Sequence, residues 1–164
     1  MKITIIGAGN IGSAVAACLA KGHLYNEKDI IISTPHTDKL ENLHKQFPAI
    51  RIMTENQYAI SEADIIILAV KPCIVDEVLS PLRFSRTQIL VSLVTGISIS
   101  HLAHLSETEM PIFRVVPNIA ITEHSSLTLI TSRKAGKEHQ QDKSIERADG
   151  STRIAQQHGT YTDN

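Results

Sequence analysis

The chain has 164 residues, 42% of them hydrophobic, and a formal net charge of −1 at pH 7. This length permits one domain with a sizeable core, and the near-neutral charge argues against a nucleic-acid partner. No apolar run is long enough to cross a bilayer, and the chain begins directly as a strand without a signal peptide. We therefore expect a cytoplasmic protein with no membrane partner.

Strand and helix patterns alternate along the first 131 residues. The predicted strands are residues 2–6, 30–33, 50–53, 65–70, 89–94, 112–116 and 127–131, and the predicted helices are residues 10–21, 37–46, 57–61, 73–82 and 99–105. Several strands are continuous apolar runs, which is typical of parallel strands covered on both faces. The alternation predicts an α/β fold of the Rossmann type, a doubly wound and mostly parallel sheet with helices on both faces.

The turn between the first strand and the first helix carries a G-x-G-x-x-G pattern. It consists of Gly7, Ala8, Gly9, Asn10, Ile11 and Gly12. Between a buried strand and a helix N-terminus, this pattern predicts a dinucleotide-binding loop. The first glycine allows the tight turn, the second lets a pyrophosphate approach the backbone, and the third lets the helix pack on the strand. The alternative is a glycine-rich turn that only connects two elements.

The end of the second predicted strand bears on which nucleotide is bound. NAD sites carry an acidic residue about 20 positions after the glycines, where it binds the ribose 2′-hydroxyl. This chain has Ser33 and Thr34 at that place, followed by His36 and Lys39. Hydroxyl donors and positive charge suit a 2′-phosphate, so we predict NADP(H). NAD(H) stays open, because Ser and Thr also favour turns for local reasons.

Cysteine and histidine patterns predict no metal site. Cys18 and Cys73 form no CxxC pair, so we expect two small buried hydrophobic residues in a reducing compartment. His101 and His104 are three residues apart in a predicted helix, a spacing that suits two metal ligands. Because no third ligand joins them, we interpret them as exposed residues of a helix surface.

The composition changes after residue 131. Residues 132–164 contain no Leu, Val, Phe or Met, and mixed charges dominate. Such a segment buries too little apolar surface to offset its ordering entropy. We therefore predict a dinucleotide-binding domain over residues 1–131 and a disordered polar tail over residues 132–164, with a transient helix near residues 142–147. The alternative is an interaction tail that folds on a partner.

Four segments of the chain form a distinctive combination: I-I-G-A-G-N-I-G at residues 5–12, A-D-I-I-I-L-A-V-K-P at 63–72, L-V-S-L-V-T-G-I-S at 90–98 and R-V-V-P-N at 114–118. Together they resemble the nucleotide-binding half of pyrroline-5-carboxylate reductase, an enzyme of proline biosynthesis. Their order and approximate spacing are those of the family. The resemblance implies reduction of 1-pyrroline-5-carboxylate to L-proline with a reduced nicotinamide cofactor.

The resemblance also implies which residues contact the cofactor. Besides the glycine loop, Ser33 and Thr34, it assigns cofactor contacts to Asn56, Ala69, Val70, Lys71, Pro72, Thr95, Gly96 and Ile97. The Lys71 side chain either touches ligand with its charge or is solvated, and Asn118 either braces the crevice or is a turn residue. No residue is identified as the catalytic proton donor.

The chain departs from the family after residue 131. The family continues into an all-helical domain that forms the dimer and much of the substrate pocket, and residues 132–164 do not resemble it. We therefore interpret the chain as a truncated reductase, and a frameshift or an early stop would explain its ending. Two alternatives remain: a non-catalytic NADP(H)-binding module, or a reductase of another imine completed by a partner subunit.

Overall fold

Six parallel strands form the first part of the sheet. The structure is a computed structural model that describes residues 1–22, 25–37, 40–116, 127–134, 137–147 and 152–153. The strands are β1 Ile3–Ile6, β2 Ile30–Ser33, β3 Arg51–Met53, β4 Ile65–Leu68, β5 Ile89–Ser92 and β6 Ile112–Val116. Their spatial order is β3-β2-β1-β4-β5-β6. The chain changes direction across the sheet at β1, which makes the loop after β1 a topological switch point, where open α/β sheets bind ligands.

Helices connect the parallel strands. In the part of the chain that the structure describes they are α1 Asn10–Lys21, α2 Glu41–Gln46, α3 Asn56–Ser61, α4 Val75–Leu79 and α5 Ile99–Ser106. The bounds of α1 are those predicted. The predictions that α2 begins at Thr37 and that α4 continues to Leu82 are wrong. Thr37 accepts a turn hydrogen bond from the Leu40 amide at 2.9 Å, and Pro81 cannot continue α4 because it lacks an N–H.

Both faces of the parallel sheet are covered. On one face Ile6, Ile66 and Leu68 belong to a buried cluster that includes residues of α3, α4 and α5. On the other face Ile5 and Ile32 belong to a second cluster that includes residues of α1 and α2. Two-sided burial explains why the strands are continuous apolar runs rather than alternating ones. The predicted α/β doubly wound architecture is confirmed.

The parallel strands end together at one side of the sheet, which we call the carboxyl edge. Ile6, Ser33, Leu68 and Ser92 are the last residues of β1, β2, β4 and β5, and the strand register aligns them in one row. The strands predicted at residues 65–70 and 89–94 therefore end two residues early. The residues left over form the turns at this edge.

The prediction that both cysteines are buried is wrong. Cys18 and Cys73 are free and exposed. Cys18 lies on the opposite side of α1 from the buried Ala16. Residues two positions apart in an α-helix differ in direction by about 200° around the helix axis. Cys73 belongs to the short turn of 3₁₀-helix at Pro72–Ile74 that precedes α4.

After β6 the sheet continues with antiparallel strands. They are β7 Leu127–Lys134, β8 Lys137–Arg147 and β9 Thr152–Arg153. This differs from the tail predicted for residues 132–164 and from its transient helix near residues 142–147. A ladder satisfies backbone groups whatever the side chains are, and β6 offers an open strand edge as a template. Residues 135–136, 148–151 and 154–164 lie outside the described residues.

Candidate functional site

Gly7 makes the tight turn that follows β1. Its φ is +103°, a conformation that L residues rarely adopt, and a Cβ there would lie 2.5 Å from the Ala69 carbonyl oxygen. The Gly7 amide donates a 2.9 Å hydrogen bond to the carbonyl of Ser33. Gly7 thus lies between the ends of β2 and β4, which leaves no room for a side chain at the switch point.

Gly9 and Gly12, at the start of α1, differ in how much space surrounds them. A Cβ on Gly12 would overlap the Gly7 carbonyl oxygen, whereas a Cβ on Gly9 would meet nothing within 4 Å. Gly9 is the N-cap of α1, and no side chain caps the helix. The first amides of a helix have no intrahelical partner, and the helix dipole favours an anion beside them. The open space at Gly9 therefore fits a pyrophosphate against main-chain N–H groups.

The other residues of the glycine loop divide by exposure. Ala8 is buried, while Asn10 and Ile11 are exposed. Ile11 is 46% exposed. The structure brings these residues to the same end of α1 as Gly9, as the sequence pattern predicted.

Ser33 and Asn56 join β2 to α3 at the carboxyl edge. Ser33 is fully buried, and its hydroxyl donates a 2.6 Å hydrogen bond to Oδ1 of Asn56. Thr34 follows with its amide bonded to the Met53 carbonyl at 2.9 Å. The Thr34 hydroxyl contacts the backbone of His36 at 3.3–3.4 Å. Three residues predicted from separate parts of the sequence therefore lie together, and His36 is exposed beside them.

The turn after β4 continues the carboxyl edge. The Ala69 amide donates to the Ile6 carbonyl at 2.8 Å, which ties this turn to the glycine loop. Lys71 and Pro72 are exposed, and Pro72 begins the 3₁₀ turn before α4. Proline suits this position because the first N–H of a helical turn has no partner.

The turn after β5 also lies at the carboxyl edge. Gly96 has a φ of +78° and open space around its Cβ position, and Thr95 beside it is exposed. Ile97 and Val70 both pack on the cluster that contains Leu68. The structure therefore brings the two predicted nicotinamide-side turns against one core.

A side-chain hydrogen bond links the helices that follow these two turns. His101 Nε2 on α5 lies 2.8 Å from Asp76 Oδ1 on α4. The sequence predicted His101 to be a surface residue but gave no signal for its partner, which is 25 residues away. Over the described ranges, no group of three or more His, Cys, Asp or Glu side chains is arranged to hold a metal ion.

Arg114 is a charged residue that sequence reasoning left without a role. Its register partner on β5 is Ser92, which places it in the row of the carboxyl edge. Its Nε is buried and has no hydrogen-bond partner in the described structure. The sequence feature that could have identified Arg114 is its charge, which is the only one in the otherwise apolar strand β6, I-F-R-V-V. Asn118 and Lys39 lie outside the described residues.

The charge network around Glu62 lies at the opposite edge of the sheet. Glu62 is 2.7 Å from Lys2 Nζ and 3.2 Å from Arg51 Nη1. The hydrogen bond from Lys2, followed by that from Arg51, lowers the pKa of the Glu62 carboxyl from its ordinary value of 4.5. Since Lys2 precedes β1 and Arg51 begins β3, this network stabilises the amino ends of the strands and does not touch the candidate site.

Comparison with known proteins agrees with this geometry. The family model described as NADP oxidoreductase, coenzyme F420-dependent, matches residues 2–96. The pyrroline-5-carboxylate reductase of Escherichia coli is 33% identical over 132 residues, which are 79% of this chain and 49% of the relative. That of Synechocystis is 28% identical over 135 residues, which are 82% of this chain and 50% of the relative. This chain thus spans about half the length of these curated relatives.

Solved structures show the same similarity. The 1-pyrroline-5-carboxylate reductase of Streptococcus pyogenes has a TM-score of 0.69 and 29% identity, covering 84% of this chain and 51% of that one. The Plasmodium falciparum pyrroline carboxylate reductase, solved with NADP bound, has a TM-score of 0.72 and 24% identity, covering 84% and 50%. The chain is similar to the N-terminal domain of these reductases. In the described ranges, no helix is both long and apolar enough to cross a membrane.

Proposed function

We propose that this chain, which belongs to the family described as NADP oxidoreductase, coenzyme F420-dependent, binds NADP(H) and provides the cofactor half of a reductase for 1-pyrroline-5-carboxylate. The observation that carries the proposal is the glycine loop. Within this loop, a Cβ on Gly7 or Gly12 would collide with backbone atoms, whereas a Cβ on Gly9 would face open space. This arrangement leaves room for a pyrophosphate against the first amides of α1.

Residues 1–131 form the proposed dinucleotide-binding domain. Within it, the proposed cofactor contacts lie along the carboxyl edge of the sheet. The pyrophosphate would meet the loop at residues 7–12, and the adenosine ribose would lie at the end of β2, beside Ser33, Thr34 and Asn56. The nicotinamide half meets the turns at residues 69–72 and 95–97. These three places adjoin in the structure, because the Gly7 amide bonds to Ser33 and the Ala69 amide bonds to Ile6.

The absence of a carboxylate at the end of β2 supports NADP(H) over NAD(H). Ser33 and Thr34 occupy the position where NAD sites carry an acid. A carboxylate there would repel a 2′-phosphate, whereas N–H and O–H groups can donate to it. The Plasmodium falciparum relative is solved with NADP bound.

The bound cofactor would supply a hydride from its nicotinamide ring to the C=N carbon of the imine, giving L-proline. The residues of this chain bind and orient the cofactor. The turns at residues 69–72 and 95–97 would flank the nicotinamide ring, and Val70 and Ile97 anchor those turns in the core. Holding donor and acceptor in line is the protein's main contribution to such a transfer. The proton for the imine nitrogen is assigned to no residue here.

Two other functions are alternatives to this proposal. One is a non-catalytic NADP(H)-binding module, and the other is a reductase for another imine that a helical partner subunit completes. We propose a cytoplasmic protein on the basis of its two exposed free thiols, which suit a reducing compartment.

Titration of the purified chain with NADPH and NADH by isothermal calorimetry tests the proposal. We expect NADPH to bind more tightly, and failure to bind either nucleotide would contradict it. Proline-dependent reduction of NADP⁺ then separates a reductase from a binding module. Activity that appears only with an added helical partner would favour the reductase completed by a second subunit.

A further inference from the structure

Asn56 reaches the end of β2 although it belongs to α3. Met53 is the register partner of Ser33. The chain turns back over two residues after β3, and Asn56 begins α3 against Ser33. The Asn56 amide group therefore lies beside the strand end that meets the adenosine ribose in folds of this type.

The hydrogen bond from Ser33 decides what Asn56 can offer a ligand. A side-chain amide has one oxygen that accepts and one NH₂ group that donates two hydrogens. The oxygen Oδ1 accepts from the Ser33 hydroxyl at 2.6 Å. This contact fixes the orientation of the amide and turns its N–H donors away from the buried serine. Asn56 is partly exposed, and it lies at the carboxyl edge beside the end of β2.

Buried hydrogen bonds hold α3 in place behind Asn56. The Thr4 hydroxyl donates to the Ala59 carbonyl at 2.6 Å. The Gln88 side chain donates to the carbonyl of Ile60 at 2.6 Å. These contacts come from β1 and from the residue before β5, so α3 cannot tilt without breaking them. The backbone of Asn56 is therefore held in place with α3, and only the Asn56 side chain can rotate.

We propose that Ser33 is a positioning residue: its hydroxyl orients the Asn56 amide so that the N–H donors face the 2′-phosphate of the adenosine ribose. This inference rests on the NADP(H) binding proposed above. An acid at this place accepts from a 2′-hydroxyl, whereas an amide whose oxygen is already engaged presents donors, which an anionic phosphate accepts. The Ser33–Asn56 pair thereby selects NADPH over NADH.

Calorimetric affinities for NADPH and NADH, measured on the full chain and on variants, test this inference. Ser33→Ala is expected to weaken NADPH binding about fivefold to tenfold and NADH binding less than twofold, which corresponds to one hydrogen bond. In an Asn56→Ala background, Ser33→Ala is expected to change NADPH affinity less than about twofold, because Ser33 acts through Asn56. If Ser33→Ala does not fold, Ser33→Cys replaces it in this test. The cysteine side chain is nearly the size of serine, but its S–H group is a weak hydrogen-bond donor.

Thr4→Val is the matched control. It also removes a buried hydroxyl that donates to α3 at 2.6 Å, but to Ala59 instead of Asn56. The Gln88 side chain still donates to the carbonyls of Ile60 and Ala63 in this variant, so α3 stays in place and the ratio of NADPH to NADH affinity should not change. An equal loss of NADPH affinity from Ser33→Ala in both backgrounds, or an unchanged ratio, would overturn the positioning role while leaving NADP(H) binding intact. Failure of the unmodified chain to bind either nucleotide would overturn the proposed function as well.

Discussion

The hydroxyl of Ser33 donates to Oδ1 of Asn56 across 2.6 Å, joining two residues that are 23 positions apart in the sequence. One is the last residue of β2 and the other is the first of α3. The contact connects the strand end that meets a ribose in folds of this type to a side-chain amide whose NH₂ group can donate two hydrogens. The candidate site is therefore assembled from separate segments at one edge of the sheet.

Gly12→Ala should strongly destabilise the protein. The added Cβ would overlap the carbonyl oxygen of Gly7, a backbone atom in a tight turn that cannot move aside. We expect a loss of about 1–3 kcal/mol or more in the free energy of unfolding, as in other overpacked sites. Urea denaturation measures it.

Gly22→Ala is the control for this substitution. A Cβ at Gly22 would lie 3.4 Å or more from its neighbours, which is ordinary contact. We expect the free energy of unfolding to stay within about 0.5 kcal/mol of the unmodified chain. Equal stability of the Gly12 and Gly22 variants would show that α1 does not pack on the Gly7 turn as described.

Gln88→Leu should destabilise the protein more than Gln57→Leu. Gln88 is buried and donates to the carbonyls of Ile60 and Ala63 at 2.6 and 3.1 Å. Its loss leaves buried carbonyls unpaired, at a cost of about 1–3 kcal/mol each. Thermal and urea denaturation measure the difference between the two variants.

Gln57 makes a comparable bridge at the surface. Its side chain exchanges two hydrogen bonds with the Arg83 backbone in exposed surroundings, where water can replace them. We expect Gln57→Leu to cost less than about 1 kcal/mol. Equal losses for the two variants would mean that Gln88 does not hold the end of α3.

Glu62→Gln should reduce stability near neutral pH and have no effect in acid. The pKa of Glu62 is lowered in the folded protein by hydrogen bonds from Lys2 and Arg51. A lowered carboxyl pKa contributes stability above the unfolded pKa, which is lost as pH falls through the folded pKa. The difference in midpoint of urea unfolding between the two proteins should therefore shrink as pH falls from 6 to 3.

Glu77→Gln provides the comparison for Glu62. Glu77 is exposed on α4, and it has no ion pair among the described residues. Its substitution should give a small difference that does not follow the same pH course. A Glu62→Gln effect that grows toward pH 3 would contradict the assigned ion pairs.

Local signals in the sequence predicted the central fold. The glycine loop and the bounds of α1 depend on residues that are close in the chain, so glycine spacing and the helical pattern were sufficient. The Ser33–Asn56 contact was not predictable from pattern, because it depends on how β3 returns the chain to β2. The exposure of Cys18 was missed since the buried side of α1 centres on Gly12 and Ala16.

The composition of residues 132–164 did not predict the strands that follow β6. The polar residues of this segment predicted a tail, yet β7 and β8 pair along residues 127–147 with irregular register. Backbone hydrogen bonds satisfy such a ladder without any apolar side chain. Hydrophobic patterning located the strands that are buried on both faces and residues 127–131 of β7, but it gave no signal for the rest of β7, for β8 or for β9.

The most direct test of the central claim compares NADPH affinity in Gly9→Val and Gly22→Val, the same change at the two ends of α1. Both glycines have a φ of −71°, which valine can adopt, so both variants should fold. The Gly9 side chain would fill the open space proposed for the pyrophosphate, and we predict at least about tenfold weaker binding, equivalent to roughly 1.4 kcal/mol. Gly22→Val should bind like the unmodified chain. Unchanged NADPH affinity in a folded Gly9→Val variant would contradict the proposed site.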